Sequence, residues 1–258
     1  MRKGARLGQH FLKNFAYAGK LAAAAGVAQG DTVLEIGPGK GVLTKALLHT
    51  GAHVIAIEKD PMLVRILQEK FAEEIAEGRL EIREGDIRDF DPRTITGDYV
   101  LAANIPYYIT GEIIRAFLTT DHQPRTMVLL VQKEVAERII SAKESILSLS
   151  VKAYGRPRIA ARVNRKHFSP PPSVDSAILA IEDTSKTFFD GISEEQFFKV
   201  VRGGFASKRK MLAGNLTRVF AKEKVSAAFD TCGIAEKSRA EGVNLSQWKC
   251  LTATLQER

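Results

Sequence analysis

One strand that runs directly into three alternating glycines, and then into a helix, constrains the fold of this chain more than any other feature. Residues 33–36 are largely apolar, Gly37, Gly39 and Gly41 follow, and residues 42–48 have the pattern of a helix. Glycines at such a turn tolerate left-handed backbone angles and let the backbone approach a ligand. The motif predicts an α/β domain that binds a nucleotide-like molecule at the turn. The alternative is a tight turn that binds nothing.

A carboxylate at the end of the next strand favours the ligand-binding interpretation. Glu58 ends the strand of residues 53–58, roughly 20 residues after the first glycine, where an acid accepts the hydroxyls of a ribose. Val42 stands where a dinucleotide-binding fold has its third glycine, and no P-loop Lys-Ser or Lys-Thr follows the turn. With Glu35 two residues before the first glycine, the spacing fits S-adenosylmethionine (SAM) better than NAD.

Strands and helices alternate along the first two thirds of the chain, which predicts a mostly parallel, doubly wound sheet. Ligands of such sheets lie beyond the carboxyl ends of the strands. Residues 146–151 fit a strand and a helix equally well. Four residues stand at the ends of four successive predicted strands, and we expect them to meet: Gly37, Glu58, Asp86 and Asn104.

The pattern changes after a polar linker at residues 183–190, beyond which all predicted elements are helical. The 258 residues suffice for one large core and a smaller second one. We therefore predict an α/β ligand-binding domain at residues 1–186 and a helical domain at residues 187–258.

The formal net charge of +8 favours a polyanionic partner or an anionic membrane surface. Two segments concentrate basic residues without acids, and phosphate contact is the interpretation preferred over ordinary solvated faces. Their predicted RNA-binding residues are Arg156, Arg158, Arg162, Arg165 and Lys166 in the first segment, and Lys208, Arg209 and Lys210 in the second.

Other classes of protein lack support in the sequence. No apolar run is long enough for a transmembrane helix, and the histidines are scattered. Cys232 and Cys250 form no Cys-x-x-Cys pair, which predicts reduced cysteines, a cytoplasmic location and no metal.

The tetrapeptide Asn104-Ile105-Pro106-Tyr107 carries the most chemical information. The N6 atom of adenine is a poor nucleophile because its lone pair is delocalised into the ring. The Asn104 side-chain carbonyl and the Ile105 backbone carbonyl can accept its two hydrogens and turn the lone pair towards a methyl donor. Pro106 stiffens the turn, and Tyr107 offers a ring on which an extruded base can stack. The alternative is a turn with a buried tyrosine.

Two further residues have candidate roles in the same site. Asp86 can accept a hydrogen bond from the cofactor's adenine amine, although an aspartate after a strand is often only a cap of the next turn. Phe168, in the proline-rich loop of residues 167–175, can be the second wall around the target base, and is equally well explained as a core residue.

Taken together, these motifs resemble the small-subunit ribosomal RNA adenine-N6,N6-dimethyltransferases, also called dimethyladenosine transferases. The resemblance covers nearly the whole chain. It is carried by residues 9–12, 35–39, 57–58, 85–86, 104–107, 132–135, 168–176 and 205–210.

The resemblance implies a Rossmann-like class I SAM-dependent methyltransferase sheet with a small all-helical C-terminal domain that recognises RNA, and a helix at residues 146–154. It implies N6,N6-dimethylation of two adjacent adenosines near the 3′ end of small-subunit rRNA. The partner would be a pre-30S-like particle, the protein a monomer, and its role subunit biogenesis. Cofactor contacts carried over by position are His10, Leu12, Gly37, Glu58, Asp86 and Asn104.

The chain departs from the family at two positions: the family usually has Asn at the position of His10, and often Asn or His at that of Tyr108. Three rival interpretations remain. The nearest is a large-subunit rRNA methyltransferase of the antibiotic-resistance type, which shares the pocket motifs; the others are a non-catalytic assembly or transcription factor and a small-molecule methyltransferase.

Overall fold

The computed structural model describes residues 10–255. Gln9, the first residue of the N-terminal motif, therefore lies outside the described part of the chain. Within that part, no helix combines the length and the apolar composition needed to cross a membrane.

A seven-stranded sheet forms the framework, in the spatial order β4-β3-β2-β5-β6-β9-β7. The first five strands in this order pair in parallel, and β9 runs antiparallel to both of its neighbours. The prediction of a mostly parallel sheet is confirmed. The strands are β2 (Thr32–Ile36), β3 (His53–Glu58), β4 (Leu80–Glu84), β5 (Tyr99–Ala103), β6 (Thr126–Gln132), β7 (Arg156–Val163) and β9 (Ser176–Glu182).

Two very short strands form a second sheet that joins distant parts of the sequence. In the antiparallel pair of β1 (Phe11–Leu12) and β8 (Phe168–Ser169), Leu12 lies opposite Phe168. This pairing ties the N-terminal motif to the proline-rich loop.

Eleven α-helices lie within the described residues: α1 (Phe15–Ala24), α2 (Val42–Leu48), α3 (Pro61–Lys70), α4 (Ala72–Ala76), α5 (Thr110–Thr119), α6 (Lys133–Ile140), α7 (Ile146–Lys152), α8 (Glu194–Gly204), α9 (Leu212–Leu216), α10 (Lys222–Thr231) and α11 (Leu245–Leu255).

Four of these helices bear on how the sequence pattern is interpreted. Helix α7 settles the ambiguity at residues 146–151: Ser145 begins it with a reciprocal capping box, in which its side chain and that of Ser148 each accept a backbone N–H. Residues 61–76 do not form one continuous helix, because the chain is interrupted at Phe71 between α3 and α4. Within residues 208–220, only the short helix α9 forms.

One face of the main sheet supplies much of the hydrophobic core. Alternate residues of β2, β3, β5, β6 and β9 pack with the apolar sides of α1 and α2 and with Leu67 and Phe71 at the end of α3. The intervening strand residues are buried as well, so both faces of the sheet are covered, as expected for parallel strands. The carboxyl ends of β2, β3 and β5 are thereby fixed relative to each other.

The chain divides into two compact units, one of residues 1–137 and 155–184 and one of residues 138–154 and 185–258. The domain boundary at residue 186 remains a prediction; by compactness, residues 138–154 belong with the C-terminal residues. The second unit is helical, and its core includes an aromatic cluster of Tyr154, Phe188, Phe189, Phe197 and Phe198.

The prediction of two reduced cysteines is wrong for this structure. Cys232, at the end of α10, and Cys250, within α11, form a disulfide with their Cα atoms 5.7 Å apart. The two cysteines are separated by 18 residues in sequence, and the packing of α11 against α10 brings them together. Their spacing along the chain carries no signal of this pairing.

Candidate active site

A cavity of about 450 Å³ opens beyond the carboxyl ends of the parallel strands. This volume lies within the range of small-molecule and cofactor sites. The predicted residues Gly37, Glu58, Asp86 and Asn104 all line it, so the structure brings together the four strand ends as expected. The cavity is lined by residues 10–12, 36–40, 57–61, 85–88, 104–106 and 108–109, with Val42 and Leu43.

The glycine turn adopts the left-handed backbone that its sequence predicts. The φ angles of Gly37, Gly39 and Gly41 are +66°, +58° and +73°. A Cβ on Gly39 would come within 2.8 Å of the Phe11 ring, and one on Gly41 would overlap Phe71. Gly39 and Gly41 therefore have no room for a side chain beside these rings, and their backbone angles favour glycine as well.

Glu58 is held by the backbone of two loops and is only 3% exposed. Its Oε2 accepts a hydrogen bond from the Gly39 amide, and its Oε1 accepts one from the Asp60 amide, both at 3.0 Å. Each carboxylate oxygen retains a second lone pair. Glu58 can therefore accept two further hydroxyl donors, which fits the predicted contact with a ribose.

Asp86 is engaged by cations from two sides. The Arg88 guanidinium lies 2.5 Å and the Lys59 ammonium 2.7 Å from Asp86 Oδ2, and together they hold the pKa of the Asp86 carboxyl well below its usual range, Arg88 more strongly. The carboxylate also caps the turn at residues 87–89 by accepting the Arg88 amide. An adenine amine would have to compete with these donors, so the predicted cofactor contact of Asp86 stays a prediction.

Asn104 faces the cavity with its amide group oriented by the N-terminal segment. Its Nδ2 donates to the His10 carbonyl at 3.4 Å. Within residues 10–255, no protein donor bonds to its Oδ1, and none of the backbone amides bonds to the Ile105 carbonyl. The two acceptors that the sequence predicts for an exocyclic amine thus have free lone pairs next to the cavity.

The first of the two predicted base-stacking rings, Tyr107, is anchored away from the cavity. Its hydroxyl shares a 2.6 Å hydrogen bond with Ser176 Oγ, and burial raises the pKa of that hydroxyl. Its ring stacks on His10 with centroids 5.9 Å apart. Ser176, fully buried at the start of β9, ends the sequence motif of residues 168–176, but the sequence assigned it no role; a lone serine leading an apolar strand was the available signal.

The second ring, Phe168, belongs to the hydrophobic core in this structure. It is 1% exposed and packs among the apolar residues of α1 and the sheet. The core interpretation thus describes its present position, and a base could reach it only after Phe168 or its neighbours move. Its role as a wall around the target base stays a prediction.

The two N-terminal residues carried over from the resemblance line the cavity. His10 donates from Nδ1 to the Pro170 carbonyl at 2.8 Å, which fixes it between the proline-rich loop and Tyr107. Leu12 is buried; it lines the cavity and also belongs to the hydrophobic core.

The basic segment of β7 is not free of acids once the chain is folded. Arg156 pairs with Asp183, Arg158 with Glu182 and Arg162 with Glu137. These partners lie in or next to β9 and in α6, so a segment without acids in its own sequence is surrounded by carboxylates in the fold. Arg165 donates to the Ser173 carbonyl, and Lys166 is exposed.

The second basic segment differs from the first. Lys208, Arg209 and Lys210 are exposed in the helical unit, and none of them pairs with a carboxylate among the described residues. Their charges are available to a partner, and contact with RNA stays a prediction for both segments.

Glu35 lies outside the cavity although its position in the motif suggested the ligand. It is fully buried, and neither carboxylate oxygen has a hydrogen-bond partner. Burial, with the nearby charge of Glu58, raises the pKa of the Glu35 carboxyl to about 8. We have no structural account of why a carboxyl occupies this position.

Comparison with known proteins shows similarity over nearly the whole chain. Residues 1–257 match the family described as ribosomal RNA adenine dimethylase. The chain is 40% identical to the ribosomal RNA small subunit methyltransferase A of Dehalococcoides mccartyi, over 97% of this chain and 87% of that protein. It is 35% identical to the protein of the same name from Thermosynechococcus vestitus, over 100% of this chain and 98% of that protein.

Solved structures show the same fold. A dimethyladenosine transferase from Plasmodium falciparum superimposes with a TM-score of 0.80 at 27% identity, covering 94% of this chain and 96% of that one. The 23S rRNA methyltransferase ErmE superimposes with a TM-score of 0.78 at 25% identity, covering 95% of this chain and 99% of that one.

Proposed function

Because the chain belongs to the ribosomal RNA adenine dimethylase family, we propose that it methylates the N6 atoms of two adjacent adenosines near the 3′ end of small-subunit rRNA, with SAM as the methyl donor and N6,N6-dimethyladenosine as the product. The observation that carries the proposal is the position of Asn104 and Ile105 on the wall of a cavity built from the glycine turn and Glu58. Nucleoside-binding groups and amine-orienting groups then share one site.

The residues around the cavity fit SAM. The backbone of Gly37 and Gly39 lines the cavity without side chains, and Glu58 has free lone pairs for ribose hydroxyls. SAM supplies, when bound, a methyl group on a positively charged sulfur that is already a good leaving group. The protein therefore needs no strong base or covalent intermediate, and its main contribution is to align the nucleophile.

Asn104 and Ile105 would orient the target amine. With Asn104 Nδ2 donating to the His10 carbonyl, Oδ1 is the half of the amide left to accept one N6 hydrogen, and the Ile105 carbonyl accepts the other. Two acceptors placed in this way favour a pyramidal nitrogen whose lone pair is directed at the methyl donor. Pro106 keeps both carbonyls in place by restricting the turn.

The target adenine must leave its stack to reach these groups, at a cost of a few kcal/mol. Tyr107 and Phe168 are proposed to receive it, each ring contributing about 1–3 kcal/mol. This step requires Phe168 to become accessible. The exposed residues Lys208, Arg209 and Lys210 are proposed to contact phosphates of the rRNA. A monomer that acts in the cytoplasm on a pre-30S-like particle completes the proposal.

Asn104→Ala tests the proposal directly. It should abolish transfer of labelled methyl groups to small-subunit particles that lack the modification, while circular dichroism and RNA binding remain as in the wild type. Gln68→Ala, an exposed residue of α3 that does not line the cavity, is the matched control and should be fully active. Wild-type activity in Asn104→Ala would refute the assigned role of the amide.

Glu58→Ala tests the cofactor site separately from the orientation of the target amine. Because Glu58 would hold the ribose, its loss should weaken SAM binding by more than tenfold, about 1.4 kcal/mol, as measured by calorimetry without RNA. Methylation of large-subunit rRNA instead of small-subunit particles by the wild type would favour the function of ErmE, whose fold the chain shares.

A further inference from the structure

Tyr108 presents an aromatic ring at the mouth of the cavity that the proposed function does not use. It follows Tyr107 in the short 3-10 turn of residues 107–109. Whereas the Tyr107 hydroxyl is bonded to Ser176, the Tyr108 side chain points to solvent and is 73% exposed. It nevertheless lines the cavity. Its ring therefore borders both the site and the solvent from which a substrate arrives.

The other rings near the cavity are already occupied. Phe168 is buried in the core, His10 is stacked on Tyr107, and the Phe11 ring lies over Gly39 and beneath the Lys40 ammonium. Among the described residues, Tyr108 is the aromatic side chain of the cavity for which no ring or cation partner is found.

The charged residues do not indicate what would bind at the rim of the cavity, the part of its mouth where Tyr108 lies. As many carboxylates as cations line the cavity: Glu58, Asp60 and Asp86 against Lys40, Lys59 and Arg88. Lys59 and Arg88 are moreover paired with Asp86. The rim offers no surplus of positive charge to a phosphate, and its accessible recognition element is the face of a ring. Every base has a face that can stack on such a ring.

We propose that Tyr108 stacks on the nucleotide next to the target adenine, an inference that rests on the proposed function. When one adenine is drawn out to Asn104, its neighbour loses a stacking partner. Tyr108 lies four residues beyond Asn104, in the turn that follows it. Its ring replaces the stacking partner that the neighbouring nucleotide has lost. Because the two target adenosines are adjacent, the neighbour of one target is the other target, and Tyr108 holds whichever of the two is waiting.

A double-mutant cycle, in which a substitution of Tyr108 is combined with a change in the RNA, tests this contact. Methyl transfer is measured at saturating SAM on unmodified small-subunit particles, and on particles in which one of the two adenosines is replaced by an abasic ribonucleotide. We expect Tyr108→Ala to raise the KM for intact particles by about tenfold, with little change in kcat. The wild type should lose a similar factor on abasic particles, and Tyr108→Ala should lose nothing further there.

Two variants serve as controls. Tyr108→Phe keeps the ring and should retain the wild-type KM. Met62→Ala removes another exposed apolar side chain, 67% exposed on α3 and not part of the cavity lining, and should behave as the wild type.

The outcomes separate the two claims. Independent, multiplying losses from Tyr108→Ala and the abasic nucleotide would overturn the stacking contact, as would an unchanged KM in Tyr108→Ala. A loss of SAM affinity in Tyr108→Ala, with the KM for particles unchanged, would assign Tyr108 to the cofactor and overturn it as well. A wild type that methylates neither kind of particle would refute the proposed function itself.

Discussion

Tyr107 and Tyr108 show how differently two neighbouring residues of one motif are used. The Tyr107 ring is fixed at both ends, by Ser176 at its hydroxyl and by His10 at its face, whereas Tyr108 is free at the rim. A 3-10 turn places consecutive side chains in different directions, so that one is directed inwards and the next outwards. The hydroxyl of Tyr107 therefore matters, although base stacking alone would require only its ring.

We expect Tyr107→Phe to impair the enzyme, because it removes the partner of the buried Ser176 hydroxyl. An unsatisfied buried hydroxyl costs about 1–3 kcal/mol, seen as a lower free energy of unfolding in urea and a lower kcat. Ser176→Ala should have a similar effect, and the double variant should lose less than the sum, since both polar partners are then gone. Fully additive losses would show that the two hydroxyls do not act as a pair. Tyr17→Phe, whose hydroxyl bonds to no described residue, is the control.

Glu35 makes stability depend on pH. Burial raises the pKa of its carboxyl from the ordinary 4.5 to about 8, so between these values the unfolded chain is ionised while the folded chain keeps the proton. The contribution of Glu35 to the free energy of unfolding is then fully present below about pH 4.5 and is lost as the pH rises towards 8. Glu35→Gln should remove this slope in urea unfolding measured from pH 5 to pH 8. Parallel pH curves for the variant and the wild type would contradict the prediction.

At the scale of elements, side chains from other parts of the chain hold the strand–glycine–helix unit in its conformation. The φ of +73° at Gly41 starts α2 from a left-handed residue, and the ring of Phe71 at the end of α3 occupies the space where a side chain would lie. The pairing of β1 with β8 holds Phe11 over Gly39 in a similar way. The turn is therefore closed from above and from the side by residues of other elements.

Gly41→Ala should destabilise the protein by more than about 1 kcal/mol, because it combines an unfavourable φ with overlap on Phe71. Gly19→Ala is the matched control: Gly19 lies in α1, and a Cβ added to it would meet no atom within 4 Å, so alanine there should stabilise by about 0.5–1 kcal/mol. Thermal unfolding of both variants tests the pair. Equal midpoints would show that the turn tolerates a side chain.

At the scale of the whole molecule, some of the basic side chains are paired with carboxylates and others are available to a partner. Three of the five basic side chains singled out in and after β7 are paired with carboxylates, whereas the cluster of residues 208–210 has no such partners among the described residues. A paired guanidinium contributes less to the attraction of a polyanion, because its partner cancels part of its field. Net charge alone does not reveal this difference.

Replacement of Lys208, Arg209 and Lys210 by alanine should flatten the salt dependence of RNA binding by about 0.7 log units per lost contact. The matched triple variant of Arg156, Arg158 and Arg162 should change the slope less, because their carboxylate partners already cancel part of the field of these arginines. Filter binding of rRNA fragments over a range of salt concentrations measures both slopes. The reverse order would place the RNA on β7.

The sequence by itself determined the features that depend on short stretches of chain. The strand, glycine turn and helix at residues 32–48, the acid at the end of β3 and the tetrapeptide at the end of β5 are local patterns, and each lies where the pattern predicts. A doubly wound sheet then brings strand ends together by topology alone. Local residue types and one general rule of architecture thus sufficed to gather Gly37, Glu58, Asp86 and Asn104 around one cavity.

Only the tertiary structure decided which distant residues become partners. The carboxylates that neutralise the β7 arginines, the serine that holds Tyr107, the burial of Phe168 and the joining of Cys232 to Cys250 all link residues far apart in the chain. Such pairings follow from strand order, register and the packing of one helix against another, none of which leaves a periodic signal in the sequence. A side chain's type fixes what it can bind, and the fold determines whether a protein group has already bound it.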